Sequence, residues 1–210
     1  ANSNALTATP TALSSGTWQW KVLAQDRAKN RSIWSSIFSV TVDTTVPSMP
    51  VLLMPANLRA TNGTSVNLVW MKSTNNMSNY KVNLNGAYYT VHNSLSNYLA
   101  TPLANNLYTW RVTAIDKAGL TNISTAWSFI VDTLAPNAPT LSAPADTKFT
   151  NSGTLTFSWS KPLDNGLSGI SNYRIMISSN NWVGTQRSVW TANSNTLSAT
   201  PTALSTGTWQ

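Results

Sequence analysis

Chemistry in a protein needs side chains that move protons, attack carbonyls or hold ions, and this chain has few of them. Its 210 residues include one histidine, His92, six aspartates, no glutamate and no cysteine. General acid–base catalysis favours a histidine, or paired carboxylates, beside a nucleophile. His92 lies alone in the turn-like stretch Val91-His92-Asn93-Ser94, and the aspartates are spaced singly along the chain. No catalytic centre is expected, so the chain reads as a non-enzyme. Without cysteine, neither a disulfide framework nor a thiolate metal site can form.

The ten tryptophans are the other chemically useful group, because sugars stack on flat aromatic faces. Sequence alternation places Trp20, Trp70, Trp110 and Trp159 in cores, and leaves Trp34, Trp127, Trp182 and Trp190 less constrained. Trp182 and Trp190 flank residues 183–189 beside an expected hairpin, which makes them the candidate carbohydrate-stacking pair. Packing between neighbouring domains is the competing explanation for both. The run Asp164-Asn165-Gly166-Leu167-Ser168-Gly169 reads either as a binding loop or as a glycine-permitted turn before Tyr173. Asn30, Asn62, Asn76 and Asn122 each open an Asn-x-Ser/Thr triplet. Such triplets are glycosylation acceptors only where the source glycosylates its surface proteins, and chance produces several in so polar a chain.

The formal charge of +7 reflects a shortage of acids more than a wealth of bases. Lys and Arg are scattered, with no run denser than Lys29-Asn30-Arg31. Nucleic-acid binders cluster their bases along a stripe, so no nucleic-acid partner is expected. No apolar run approaches the roughly 18–20 residues that span a bilayer, so no membrane insertion is expected. Thr, Val, Trp and Tyr favour pleated, half-buried strands. The composition is that of an all-β protein placed outside the cell or on its surface.

The elements that position these residues repeat. Residues 192–210 copy residues 1–19 with three changes, Ala5/Thr196, Thr7/Ser198 and Ser15/Thr206. A shorter step of about 90 residues relates Trp20-Lys21-Val22-Leu23-Ala24-Gln25-Asp26 to Trp110-Arg111-Val112-Thr113-Ala114-Ile115-Asp116. The same step relates Val42-Asp43 to Val131-Asp132, Pro47 to Pro136, Pro50 to Pro139, Pro55 to Pro144 and Trp70 to Trp159. Gaps of this size suit β-sandwich domains better than short solenoid repeats. The near-identical copy recurs at a step of 191, so two domain types are expected to alternate.

Alternation with a period of two marks the strands. Val66, Leu68 and Trp70 point one way, as do Leu155, Phe157 and Trp159. Tyr80, Val82 and Leu84 form a second inward set, matched by Tyr173, Ile175 and Ile177. Asn85-Gly86 separates that strand from Ala87–Val91 and predicts a two-residue hairpin, since both residues tolerate positive φ. Tyr108, Trp110, Val112 and Ala114 line the next strand, and Phe129 to Val131 close the unit.

Trp on the second strand, Tyr opening the third and aromatic-x-Val-x-Ala on the sixth resemble a fibronectin type III-like sandwich. Ala114-Ile115-Asp116-Lys117-Ala118-Gly119 and Val131-Asp132-Thr133-Leu134-Ala135-Pro136 are similar to the bacterial fibronectin-like and Ig-like tandem repeats of large surface proteins. The resemblance implies tandem β-sandwich domains, one complete and two partial. Residues 47–135 form the complete domain, 1–46 the last strands of one before it, and 136–210 the first strands of one after it. Residues 136–210 hold the strands that 1–46 lacks, so the tail of one unit is expected to complete the head of the next. Such a head-to-tail array is either one continuous chain or a polymer of subunits. The resemblance also raises interdomain Ca²⁺, with Asp26, Asp43, Asp116 and Asp132 as candidate ligands near domain ends; otherwise no cofactor is expected. Calcium takes six to eight oxygens, whereas each junction offers about two aspartates and neighbouring carbonyls. The alternative for Asp43 and Asp132 is an Asx turn just ahead of Pro47 and Pro136. The implied role is structural: a stalk, fibre or sheath on a microbial surface. The alternative is an adhesin, or the carbohydrate-binding accessory repeats of a secreted polysaccharide-active protein, with surface polysaccharide as partner.

Overall fold

The computed structural model describes residues 6–178 and 187–200, and every regular element among them is a β-strand. The chain divides into two compact units. The first is built on Ala1–Asn57, Asn67–Leu99 and Thr109–Trp127, and the second on Leu58–Val66, Ala100–Tyr108 and Ser128–Gln210.

In the first unit, β1 (Gly16–Trp20) and β2 (Phe38–Val42) form an antiparallel pair in register from Gly16↔Val42 to Trp20↔Phe38. Strand β3 (Val51–Met54) pairs antiparallel with the Val69–Met71 end of β5 (Val66–Met71). Strand β6 (Met77–Leu84) lies between β7 (Ala87–His92) and β9 (Asn106–Asp116), antiparallel to both. Asn85 and Gly86 join β6 to β7 with φ of 47° and 88°, the positive values that a type I′ hairpin demands. The short strand β10 (Thr121–Ile123) folds back on β9. The alternating residues expected to point inward are buried together: Leu68, Trp70, Tyr80, Val82, Leu84, Trp110, Val112 and Ala114. Trp70 meets Tyr80 edge-to-face at 5.4 Å, a contact between the β5 layer and the β6 layer.

In the second unit, β4 (Arg59–Thr61) runs parallel to β11 (Trp127–Val131), and Tyr108 stacks on Phe129 at 5.3 Å. Downstream lie β12 (Leu141–Ala143), β13 (Phe157–Trp159), β14 (Arg174–Ile177), β15 (Arg187–Trp190) and β16 (Ser198–Ala199). Trp159 meets Tyr173 edge-to-face at 5.4 Å, repeating the Trp70–Tyr80 contact. Within the units the strand orders are β1-β2, β9-β6-β7 and, with β8 (Asn97–Ala100), β3-β5-β8 in the first, and β4-β11, β12-β13-β16 and β14-β15 in the second. The three-stranded order recurs as β3-β5-β8 and β12-β13-β16, so the two copies share one layer plan.

A hydroxyl side chain closes the same gap beside several strands. Val112 N–H donates to Ser124 Oγ at 2.9 Å, while Ser124 N–H donates to Val112 O at 2.9 Å. Val22 and Ser35 exchange the same two bonds, at 3.0 and 2.8 Å, and so do Tyr173 and Thr191, at 2.9 and 2.8 Å. The side-chain oxygen stands where a ladder carbonyl would be, so a main-chain donor next to the core keeps its partner.

Tyr108, Leu155, Phe157 and Ile175, expected inward, are half-buried, and one expected core tryptophan is largely exposed. Trp70, Trp110 and Trp159 are 1%, 0% and 6% exposed, but Trp20 is 54% exposed. Its ring meets Phe38 edge-to-face at 5.7 Å. The cause is the surroundings of β1 and not its pattern: among the described residues, that hairpin carries no third strand.

Candidate functional site

The aspartates singled out by the sequence sit in main-chain turns, and two of them tie a linker to the loop that follows it. Asp43 leaves β2. Its Oδ1 accepts the Thr45 N–H at 3.0 Å, an Asx turn, and its Oδ2 accepts the Asn76 side-chain N–H at 2.9 Å. The next loop returns the contact: Asn75 Nδ2 donates to Thr45 O at 2.5 Å, and Thr74 N–H to Ser48 Oγ at 2.9 Å. Asn122 Nδ2, on β10, donates to Pro47 O at 3.0 Å. Asn75 and Asn76 both have positive φ, 80° and 40°, which asparagine tolerates better than most residues. The Asn76 amide, then the Thr45 N–H, hold the Asp43 carboxyl below its ordinary pKa.

Asp132 leaves β11 in the same way, and its Oδ1 accepts the Leu134 N–H at 3.1 Å. Its Oδ2 accepts two main-chain donors from the loop ahead, Leu167 N–H at 3.0 Å and Ser168 N–H at 2.8 Å. Asn165 Nδ2 bonds Ala135 O and Asn137 Oδ1, each at 2.9 Å, and Asn137 N–H bonds Leu163 O at 2.9 Å. Within the loop, Gly169 N–H donates to Asp164 Oδ2 at 2.7 Å. Gly166 lies so close that a Cβ placed on it would stand 1.9 Å from Asp132 Oδ1. The Asp164–Gly169 run is therefore a turn whose main chain closes on the preceding linker. A shallow recess of about 210 Å³, lined by Ala60, Thr61, Asn62, Asp132 and Ser168, opens beside this clasp.

Hydrogen bonds from the side chain and main chain of Ser168, with those from Leu134 and Leu167, lower the Asp132 pKa from 3.8 to about 2. Each of these donors favours the ionised form. A carboxylate whose pKa folding depresses stabilises the fold above its unfolded pKa and loses that contribution as the pH falls through the folded value. The clasp at Asp132 is therefore expected to hold unchanged from pH 7 to pH 5 and to release between about pH 4 and pH 2. Thermal melts across that range should show a downward slope in wild type that is reduced in Asp132→Asn, where the contribution of this side chain is gone and those of Asp26 and Asp43 remain.

The remaining candidates are placed as follows. Asp26 accepts the Asn30 main-chain and side-chain N–H groups at 2.8 and 2.9 Å in an exposed turn, which lowers its pKa. Asp116, 2% exposed, accepts the Ala118 and Leu120 N–H groups through Oδ1 at 2.9 and 2.8 Å and closes the β9–β10 connection. All four aspartates thus face N–H donors. Oδ2 of Asp116 has no hydrogen-bond partner among the described residues. No group of three or more His, Cys, Asp or Glu among those residues could hold a metal ion. His92 is exposed and bonds Ser94 Oγ through Nδ1 at 2.8 Å. Trp190 is 60% exposed, with the Arg174 guanidinium 5.7 Å from its ring centroid; Trp182 lies outside the described residues. Of the four Asn-x-Ser/Thr asparagines, Asn30, Asn76 and Asn122 already spend their side-chain N–H groups on Asp26, Asp43 and Pro47. Asn75 and Ser48, which complete the first clasp, carry no signal of their own in the sequence, and Asn165 stands out only as part of the Asp164–Gly169 run. The usable signal is an asparagine in each loop that follows an Asp-Thr-x-x-Pro linker.

The strand orders and the recurring core define a tandem β-sandwich protein of fibronectin type III-like fold. No protein-family model matches the chain, and no curated protein matches it. Among solved structures it is similar to the chicken CNTN1 FN1–FN3 domains, at 13% identity and a TM-score of 0.38 over 89% of this chain. It is also similar to the central fibronectin-III array of RIM-binding protein, at 20% identity and a TM-score of 0.33 over 79% of this chain. The chain spans 67% of the first of those structures and 55% of the second.

Proposed function

We propose that the chain is a structural segment of an extracellular tandem-repeat protein, with one complete repeat over 47–135 and partial repeats over 1–46 and 136–210, that builds a stalk, fibre or sheath on a microbial surface. The observation that carries the reading is the recurrence of one device: at Asp43 and again at Asp132, a linker carboxylate is held by the next loop. A linker free to swivel needs no such contact. One fastened through two or more hydrogen bonds resists bending, as a load-bearing or spacing element must. The weakly charged, cysteine-free composition suits a surface exposed to the medium. An antibody raised against residues 47–135 is expected to label extended structures outside intact cells of the source organism in electron micrographs. Label that appears only after the cells are permeabilised would overturn the proposal.

The exposed Trp190, with Arg174 beside it, favours a second reading as a polysaccharide-binding repeat. Quenching of tryptophan fluorescence by oligosaccharides, lost in Trp190→Ala, would establish it, and no quenching by a broad panel would exclude it.

A further inference from the structure

The four Asn-x-Ser/Thr triplets are treated unequally by the fold. Joining a sugar to such a triplet takes a surface loop in which an enzyme can reach the asparagine amide and the hydroxyl two residues on. Three triplets fail that condition. Asn122 is half-buried with its Nδ2 on Pro47 O, and Ser124, its hydroxyl residue, is 4% exposed and tied to the Val112 N–H and to Thr125 O. Asn30 Nδ2 donates to Asp26 Oδ2, while Ser32 Oγ accepts the Ala24 N–H and donates to Ile33 O. Asn76 Nδ2 is held by Asp43 Oδ2 in the first clasp, and Ser78 is half-buried on β6.

The fourth triplet is open. Asn62-Gly63-Thr64 lies in the loop from β4 to β5. Gly63 N–H donates to Thr61 Oγ1 at 3.2 Å, a hydroxyl turn that sets Asn62 at an exposed bend. Thr64 is exposed as well, and its main-chain oxygen accepts the Leu103 N–H at 2.8 Å. The loop is thus anchored through its backbone. Neither the Asn62 amide nor the Thr64 hydroxyl has a hydrogen bond among the described residues. The shallow recess of about 210 Å³ that Asn62 shares with Asp132 and Ser168 leaves open space beside the amide. The matching loop of the next repeat keeps the asparagine and lacks the motif. Thr61-Asn62 returns there as Thr150-Asn151, but Ser152-Gly153 follows, so glycine stands in place of the hydroxyl residue.

We propose that Asn62 is an N-glycosylation site, and that it is the one used among the four triplets. The inference rests on the extracellular reading above, which takes the chain past the transferases that modify surface proteins. The donor this needs is a glycosyl diphosphate. Asn62 Nδ2 attacks the anomeric carbon of the sugar, and the new N–C bond forms as the C–O bond to the diphosphate breaks. The diphosphate leaves with the bonding electron pair, and the amide gives up one of its two protons to the transferase. The sugar then stands beside the recess, and so beside the second clasp.

Mass spectrometry of the protein isolated from its source cells tests this. Trypsin releases residues 60–72, in which Asn62 opens the one triplet. That peptide should be heavier than its sequence by one or more sugar residues, while the peptides holding Asn30, Asn76, Asn122 and Asn151 carry none. In variants expressed in the same organism, Asn62→Gln and Thr64→Ala should each lose the sugar, and Thr64→Ser should keep it. Both positions are exposed, so the variants should fold, and thermal melts with unchanged midpoints verify it. A bare 60–72 peptide would overturn the inference, as would sugar on Asn30, Asn76 or Asn122 in its place. Surface labelling of intact cells alongside a bare Asn62 would leave the structural role standing without this modification. A bare Asn62 in a chain found only inside the cell would sink both.

Discussion

Replacing Trp110 by alanine is expected to cost the middle sandwich about 3–5 kcal/mol, the range for emptying a buried tryptophan site. Trp110 is fully buried on β9 opposite Leu84. Its Nε1 has no hydrogen-bond partner among the described residues, so the loss is one of packing and apolar burial alone. Single domains are stable by only about 5–15 kcal/mol, so the variant should approach unfolding at ambient temperature. The control is built into the sequence. Trp20→Ala removes the same side chain at the matching position of the preceding repeat, where it is 54% exposed, and should cost less than about 1 kcal/mol in the monomer. Urea titrations of the two variants, followed by far-ultraviolet circular dichroism, measure the contrast directly. Equal losses would mean that Trp20 is covered in solution.

Gly166→Ala is expected to break the second clasp. The added methyl would fall 1.9 Å from Oδ1 and 2.2 Å from Cγ of Asp132, so the carboxylate or the loop must retreat. Retreat lengthens the bonds from Leu167 and Ser168 that hold the Asp132 pKa near 2. The carboxyl should then titrate closer to its ordinary 3.8. Stability near neutral pH should fall by about 1–3 kcal/mol, as for other overpacked sites. Gly169→Ala separates this from ordinary backbone strain. Gly169 has φ of 76° but open space around it, so its variant should be strained without disturbing Asp132. Carboxyl chemical shifts across a pH titration would distinguish the two. An unshifted Asp132 in Gly166→Ala would count against the clasp.

The strands were legible because alternation is a local property of the chain. Leu68 and Trp70, or Tyr80 and Val82, declare their inward face without reference to anything distant, and Asn85-Gly86 carries its turn in two residues. Trp20 shows where that logic stops. The pattern tells which side a residue faces, not whether another layer lies over it, and coverage depends on strands far away or in another molecule. The clasps were half legible for a different reason. Asp43 and Asp132 stood out ahead of their prolines, and each does accept the N–H two residues on. Their second partners could not be read in the same way. At Asp132 these are the main-chain N–H groups of Leu167 and Ser168, which every non-proline residue possesses. Only Gly166 left a trace, and a glycine in a polar loop has commoner explanations. Asp116 was grouped with the linker aspartates by its place near a domain end, but its Oδ1 bonds stay within the β9–β10 connection.

Because the Asp132 carboxylate takes the Leu167 and Ser168 main-chain N–H groups, much of the loop it grips is free to drift in sequence as long as position 166 stays bare and Asn165 and Ser168 keep their side-chain bonds. A joint of that kind asks little of whichever module comes next. Gene segments encoding repeats could be duplicated, deleted or reordered by recombination, and each new neighbour would arrive already compatible with the old coupling.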